Sequence, residues 1–342
     1  MKKSKVMLNS LIILFLSIGL VWYFLKDNYK VSLEVLSKAN FSFLILGVFI
    51  YFGYFCFETL LIKKLVNAHK PDYSFKSAFK LYLMTKFFNG ITPFSSGGQP
   101  LQLYEMKKEG VSYLDGTTVL IKHFIILQTS VVFLSIISLI ITLLFHFIKP
   151  TGFLLIVLIF GFVINFLLLA IVVILSYKIR VCEKVCEFFI NLLSKLKIIK
   201  NKEEKTQSVK KSCEQYQKNY KELMQNKKYF FSLVLIESIA LVCSFSLPFF
   251  VFKSLGSPYN NYIAMLAIGT LVYLVGSFVP IPGGTGGMEY AFINLNEFIV
   301  PSTYLSVSLI LWRVIDYYFP MIFGGIFFNL EKAKRDFKSI QN

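Results

Sequence analysis

Long apolar runs alternate with short basic ones along the whole chain. Stretches dense in Leu, Ile, Val and Phe occupy Leu8–Leu25, Phe41–Leu61, Thr117–Phe147, Phe153–Ser176, Tyr229–Phe252, Tyr262–Val279 and Thr303–Leu330. A helix needs about 20 mostly apolar residues to cross a bilayer, so the pattern predicts about seven spanning helices. The first run follows Lys2, Lys3 and Lys5 like a signal peptide, but no small-residue cleavage site follows at Lys26-Asp27-Asn28-Tyr29, and it reads as an uncleaved span.

Two segments break the pattern. Ala78–Met106 is only intermittently apolar and lies between two basic stretches that a crossing would separate; Pro280–Val300 interrupts the last two apolar runs. Both predict re-entrant hairpins, the first entering from the cytoplasm and the second from outside. The expected fold class is therefore an all-α polytopic membrane protein: about seven spans plus two re-entrant broken-helix hairpins, arranged as an inverted pseudo-repeat. Residues 1–342 read as one integral membrane domain, with 177–228 a cytoplasmic basic and amphipathic insertion and 331–342 a short cytoplasmic tail. Within the insertion, Val181–Leu193 has the helical spacing of an amphipathic helix at the inner leaflet, and the polar run Lys200–Gln207 reads as a solvated turn.

Composition agrees with the pattern. The chain is 56% hydrophobic and only 16% charged, more apolar surface than a water-soluble domain of this size needs to bury. The formal charge of +17 invites a nucleic-acid reading, but Lys and Arg collect at the N-terminus, at Lys63-Lys64, over Lys178–Lys228 and at Lys332, Lys334, Arg335 and Lys338. The positive-inside rule accounts for those places and puts both termini in the cytoplasm of a bacterial cell membrane. Nucleic acid is not an expected partner; membrane phospholipids are. Cys56, Cys182, Cys186, Cys213 and Cys243 show no zinc spacing, although Cys182 and Cys186 share a helix face; they read as reduced packing thiols, and neither a metal nor a cofactor is expected. No phosphate-binding loop or Ser-His-Asp arrangement stands out.

The chemistry concentrates at the two glycine-rich breaks. Backbone that leaves the helix at membrane depth is tolerated only where protein or a water-filled cavity supplies hydrogen bonds, and paired broken helices in opposed halves point to a transporter's substrate site. The candidate head-group contacts are Lys86, Asn89, Thr92, Pro93, Ser95, Ser96, Gly97, Gly98 and Gln99 at the first break. At the second they are Pro280, Pro282, Gly283, Gly284, Thr285, Gly286, Gly287 and Glu289. The glycines could instead serve close helix packing, and Lys86 could snorkel into water rather than meet a phosphate. Glu58, Lys122, His123 and Glu237 also fall in or beside apolar runs, where ionisable groups face the protein interior by default. Arg313 and Asp316, three residues apart, are placed to pair locally, in a structural or a functional role.

Thr92-Pro-Phe-Ser-Ser-Gly-Gly-Gln-Pro100 followed by Pro280-Ile-Pro-Gly-Gly-Thr-Gly-Gly-Met-Glu289 resembles the lysylphosphatidylglycerol synthase/flippase transmembrane family, known best from the multiple peptide resistance factors. The resemblance covers nearly the whole chain. It implies a translocase or binder of anionic or aminoacylated phospholipid such as lysylphosphatidylglycerol, contributing to envelope lipid composition and resistance to cationic antimicrobial peptides. A separate lipid-modifying enzyme is then a possible partner. In the large family members a cytoplasmic domain makes the lipid from lysyl-tRNA; the twelve residues from Glu331 to Asn342 are too few for one, which disfavours synthase activity. A phosphatidylglycerol lysyltransferase and a non-transporting membrane scaffold stay open as alternatives.

Overall fold

The computed structural model describes residues 29–195 and 202–341, together with Gly19. The first expected span, Leu8–Leu25, lies outside the described residues apart from Gly19. Among the described residues every regular element is helical, and five stretches are long and apolar enough to cross a membrane: Phe41–Asn67, Tyr113–Phe145, Gly152–Tyr177, Lys227–Ser254 and Ser302–Glu331.

In chain order the helices are α1 (Tyr29–Ser37), α2 (Phe41–Asn67), α3 (Phe75–Gly90), α4 (Gly98–Lys108), α5 (Tyr113–Phe145), α6 (Gly152–Tyr177), α7 (Ile179–Lys195) and α8 (Lys202–Gln225). There follow α9 (Lys227–Phe245), α10 (Leu247–Ser254), α11 (Tyr262–Gly276), α12 (Gly287–Asn296), α13 (Ser302–Arg313) and α14 (Phe319–Gln341). Polar side chains start several of them. Asn40, Ser74, Ser112, Asn226 and Asn261 each accept a backbone N–H of the first turn, satisfying donors that the helix itself leaves free.

Which face of a helix meets lipid follows from burial. Phe153, Ile156, Ile159 and Phe160 on α6 are exposed, whereas Asn165 on the same helix is buried. Asn165 is held by Gln128 of α5 at 2.9 Å and donates to Ser277 Oγ at 2.7 Å. Such interhelical bonds are worth about 1 kcal/mol each in a bilayer, and they fix the rotation of a helix that apolar contacts alone would leave free to turn.

Two hairpins are built into the bundle. α3 and α4 fold back on each other around the break, and so do α11 and α12. At 1.5 Å per residue the arms are about 24, 16, 22 and 15 Å long, each short of the roughly 30 Å hydrocarbon core. Tyr262–Val279 is thus not a separate full-length span: α11 ends at Gly276 and forms the long arm of the second hairpin.

The loops show which face each hairpin enters. Lys70, after α2, donates to the Glu109 carbonyl before α5, and His69 Nδ1 lies 3.0 Å from Asp115. The first hairpin therefore leaves and returns at the face where α2 ends. The insertion lies at this face as well, because Tyr229 reaches the Lys64 carbonyl and Lys122 pairs with Glu222 of α8. At the start of α2, Asn40 N donates to the Ser254 carbonyl, and Tyr304 of α13 reaches Gly256. The second hairpin starts and ends there, at the opposite face. Its tip meets the tip of the first: the 3-10 turns Pro93–Ser95 and Pro282–Gly284 are in contact.

The insertion departs from expectation in one respect. Lys202 onward is helical, so most of the polar run Lys200–Gln207 is the first turns of α8 instead of a turn between helices. Glu203 and Glu204 at that N-terminus favour helix by opposing its dipole, and they stay in solvent as expected.

Candidate functional site

A cavity of about 780 Å³ lies where the two breaks meet. Of the sequence candidates, Lys86, Asn89, Ser95, Gln99, Gly283, Gly284, Arg313 and Asp316 line it. Thr92, Pro93, Ser96, Gly97, Gly98, Pro280, Pro282, Thr285, Gly286, Gly287 and Glu289 do not; they shape the turns behind it.

The first break is held by its own side chains. Asn89 Oδ1 accepts Gly98 N at 2.8 Å, Thr92 Oγ1 accepts Gly97 N at 2.8 Å, and Ser96 Oγ donates to the Pro93 carbonyl. The first two bonds satisfy amides at the start of α4. Left-handed backbone falls on Phe94 and Ser95, with φ of 53° and 50°. Gly97 and Gly98 have no such need. They are required by closeness, since a Cβ on Gly98 would lie 2.4 Å from both Asn89 Oδ1 and Thr85 Cγ2. At the second break Gly283, Gly284 and Gly286 are all left-handed, and a Cβ on Gly283 would lie 2.3 Å from the Tyr317 ring. Close packing alone requires Gly97 and Gly98, whereas Gly283 needs both close packing and positive φ.

Arg313 fastens the second break. Its Nε and Nη2 lie 2.6 and 2.5 Å from Glu289 Oε1, Nη2 also donates to the Gly283 carbonyl at 3.0 Å, and Glu289 Oε2 accepts Gly286 N at 2.6 Å. Both side chains are about 5% exposed. Asp316, the expected local partner, acts on Arg313 electrostatically, but the close contact of Arg313 is with Glu289, twenty-four residues away. The cause is local geometry. Val314–Tyr318 is a π-helical turn, so the i,i+3 arithmetic of a regular helix does not hold across it. The carbonyl of Asp316 accepts from Tyr51, and Tyr317 Oη donates to the Gly90 carbonyl, tying this turn to the first hairpin.

Lys86 does not snorkel to water. Its ammonium donates to Tyr54 Oη at 2.7 Å and sits 4.5 Å from the centre of that ring, inside the cavity wall. Nearby, three groups that the sequence leaves on separate helices converge. His123 Nε2 of α5 is 3.2 Å from Glu58 Oε2 of α2, and the ligand atoms of Glu58, His123 and Glu237 (α9) all lie within 4.8 Å of one another. The α7–α8 pair assembles a second cluster, since Cys213 Sγ is 3.0 Å from Cys182 and 3.8 Å from Cys186. Burial pushes the Cys213 thiol well above the ordinary thiol range, and the neighbouring thiols add to the effect.

The profile of the family described as Lysylphosphatidylglycerol synthase TM region matches residues 8–324, both hairpins included. The chain belongs to that family. A UPF0104 membrane protein of Archaeoglobus fulgidus is similar to it, 26% identical over 317 residues that make up 90% of this chain and 92% of that protein. In this member of the lysylphosphatidylglycerol synthase transmembrane family, the motif prolines and glycines build the breaks, while the cavity wall draws on residues outside both motifs: Tyr54, Glu58, His123, Gln128 and Asn165. Each is a polar or ionisable residue in an otherwise apolar run. That signal marked Glu58 and His123 in the sequence and would have found Tyr54, Gln128 and Asn165, which sequence reasoning missed; nothing in the sequence says that the five meet.

Proposed function

We propose that the protein binds the head group of an anionic or aminoacylated phospholipid, of the lysylphosphatidylglycerol class, in the cavity between the two breaks and carries it between leaflets. The observation that carries this reading is the cavity itself: about 780 Å³, walled by both hairpin tips, with the Lys86 ammonium inside. That volume falls within the usual range for small-ligand sites, roughly 300–1,000 Å³. Lys86 supplies a cation for the lipid phosphate and Asp316 an acid for a head-group amine. The exposed apolar face of α6 suits acyl chains that remain in the bilayer.

In this reading the chain is one integral unit of the cell membrane, the α7–α8 insertion and both termini are cytoplasmic, and a separate lipid-modifying enzyme supplies the substrate. A contribution to envelope lipid composition and cationic peptide resistance follows from moving such a lipid outward. The test is a leaflet-resolved assay in liposomes holding the purified protein. Lysylphosphatidylglycerol should change leaflet faster than in protein-free liposomes, and movement no faster than in those liposomes would reject the reading.

A further inference from the structure

Glu237 is fully buried, and neither of its carboxylate oxygens has a hydrogen-bond partner. A carboxylate in that position is strongly disfavoured unless something compensates it. The Lys86 ammonium donates to the Tyr54 hydroxyl and makes no hydrogen bond to Glu237. What Glu237 does face is a second buried carboxylate, Glu58, and the imidazole of His123, with all three ligand atoms within 4.8 Å of one another.

We propose that Glu58, His123 and Glu237 form a binding site for a first-row divalent metal ion, with Zn²⁺ as the reference. One imidazole nitrogen and two carboxylate oxygens are hard-to-borderline donors that suit Zn²⁺, Mn²⁺, Fe²⁺ or Co²⁺ better than a soft monovalent ion. Bonds of about 2.0–2.2 Å need the three ligands to close in slightly from their present spacing, a matter of side-chain rotation. The ion removes the repulsion between two buried acids and gives Glu237 the partner it lacks. Three protein ligands leave a coordination position open. Glu58 and His123 line the cavity, so that position faces it. It takes water or, if the head-group reading above holds, a phosphate oxygen of the lipid. Only this last point rests on that reading.

The experiment uses the full chain with Cys182, Cys186 and Cys213 changed to Ser, so that the thiol cluster cannot bind the probe. The purified protein is equilibrated with Zn²⁺ or Co²⁺ alone, and bound metal is measured after dialysis together with the Co²⁺ visible spectrum. One ion per chain is expected. Affinity should fall at least about tenfold, the lower end of what even outer-shell changes do, in each of Glu58→Gln, His123→Gln and Glu237→Gln. Glu297→Gln, an exposed acid elsewhere, should bind as the parent does. Thermal melts guard against misfolding: Zn²⁺ should raise the parent's melting temperature, and metal-free Glu237→Gln should melt no lower than the metal-free parent because a buried unpaired acid is gone. Absence of stoichiometric binding to the protein lacking the three clustered thiols, or binding indifferent to all three substitutions, overturns the site. Lipid movement without metal binding would reject this inference alone; metal binding without lipid movement would leave the site standing and reject the transport reading.

Discussion

Replacing Glu289 by Gln tests the fastening of the second hairpin. The substitution keeps the shape of the side chain and removes its charge. Arg313 would then remain buried at 4% exposure with a neutral amide opposite two of its donors, keeping the Gly283 carbonyl and the weak Met288 sulfur acceptor as before. Breaking a buried ion pair by neutralising one partner costs about 3–5 kcal/mol, and weakening the bond to the Gly286 amide adds up to about 1 kcal/mol, the size of a lost helix cap. A loss of about 3 kcal/mol or more is therefore expected. Neutralising both partners, as Glu289→Gln with Arg313→Met, removes the stranded charge and should recover most of it. Asp316→Asn should cost less than Glu289→Gln, because it is Glu289 that bonds Arg313 directly and the Asp316 carbonyl that accepts the Tyr51 hydroxyl is kept. The reporter is at hand: Trp312 stacks on Phe292 at 4.7 Å beside this pair, and Trp22 is the other tryptophan of the chain. Unfolding of the purified protein, followed by Trp312 fluorescence in a Trp22→Phe background, reads the cost. Wild-type stability of Glu289→Gln, or an equal loss in Asp316→Asn, would refute the assignment of Glu289 as the partner.

Lys86→Gln should weaken binding of an anionic phospholipid about tenfold, the loss of roughly 1.4 kcal/mol of charge-assisted bonding, with little change in the melting temperature; unchanged affinity in a vesicle-competition assay would remove Lys86 from the site. Gly98→Val should lower stability by about 1–3 kcal/mol, because its Cβ would displace Asn89 and Thr85; intact stability with abolished transport would show that the glycine faces substrate instead. Mild oxidation should join Cys182 to Cys213, read as a disulfide-linked peptide pair, since their sulfurs are 3.0 Å apart. The Cys213 thiol, raised by burial, stays protonated at neutral pH, so its alkylation should lag that of a cysteine placed at exposed Ser212 and speed up only as pH climbs past the usual thiol range; equal rates at neutral pH would contradict this. Reagents that do not cross the membrane should label 177–228 only from the cytoplasmic side.

Legibility in the sequence followed the range of the interactions. Apolar runs report on the solvent each residue meets, so Phe41–Asn67 and Gly152–Tyr177 appear nearly where their patterns end. Glycine and proline clusters are local too, and both breaks fall at them. Two facts about those breaks were hidden. Left-handed backbone in the first lies on Phe94 and Ser95, which no propensity favours, because Asn89 and Thr92 hold the turn from outside. The direct bond of Arg313 to Glu289 was hidden as well, because a π turn looks like any other helical stretch in sequence. The clusters of Glu58 with His123 and Glu237, and of Cys213 with Cys182 and Cys186, depend on helix packing and rotation, which single-residue chemistry does not encode.

In the proposed function the lipid head group enters between the hairpin tips. A phospholipid carrying a photoreactive group on its head group, activated in liposomes that hold the purified protein, tests it most directly when the labelled peptides are mapped. Adducts are expected on both walls of the cavity, at Asn89, Ser95 or Gln99 from the first break and around Gly283 and Gly284 from the second, diminished by unlabelled lysylphosphatidylglycerol. Adducts confined to the exposed apolar face of α6, at Phe153, Ile156 and Ile159, and indifferent to the competing lipid, would mean that the protein meets phospholipid only as its solvent.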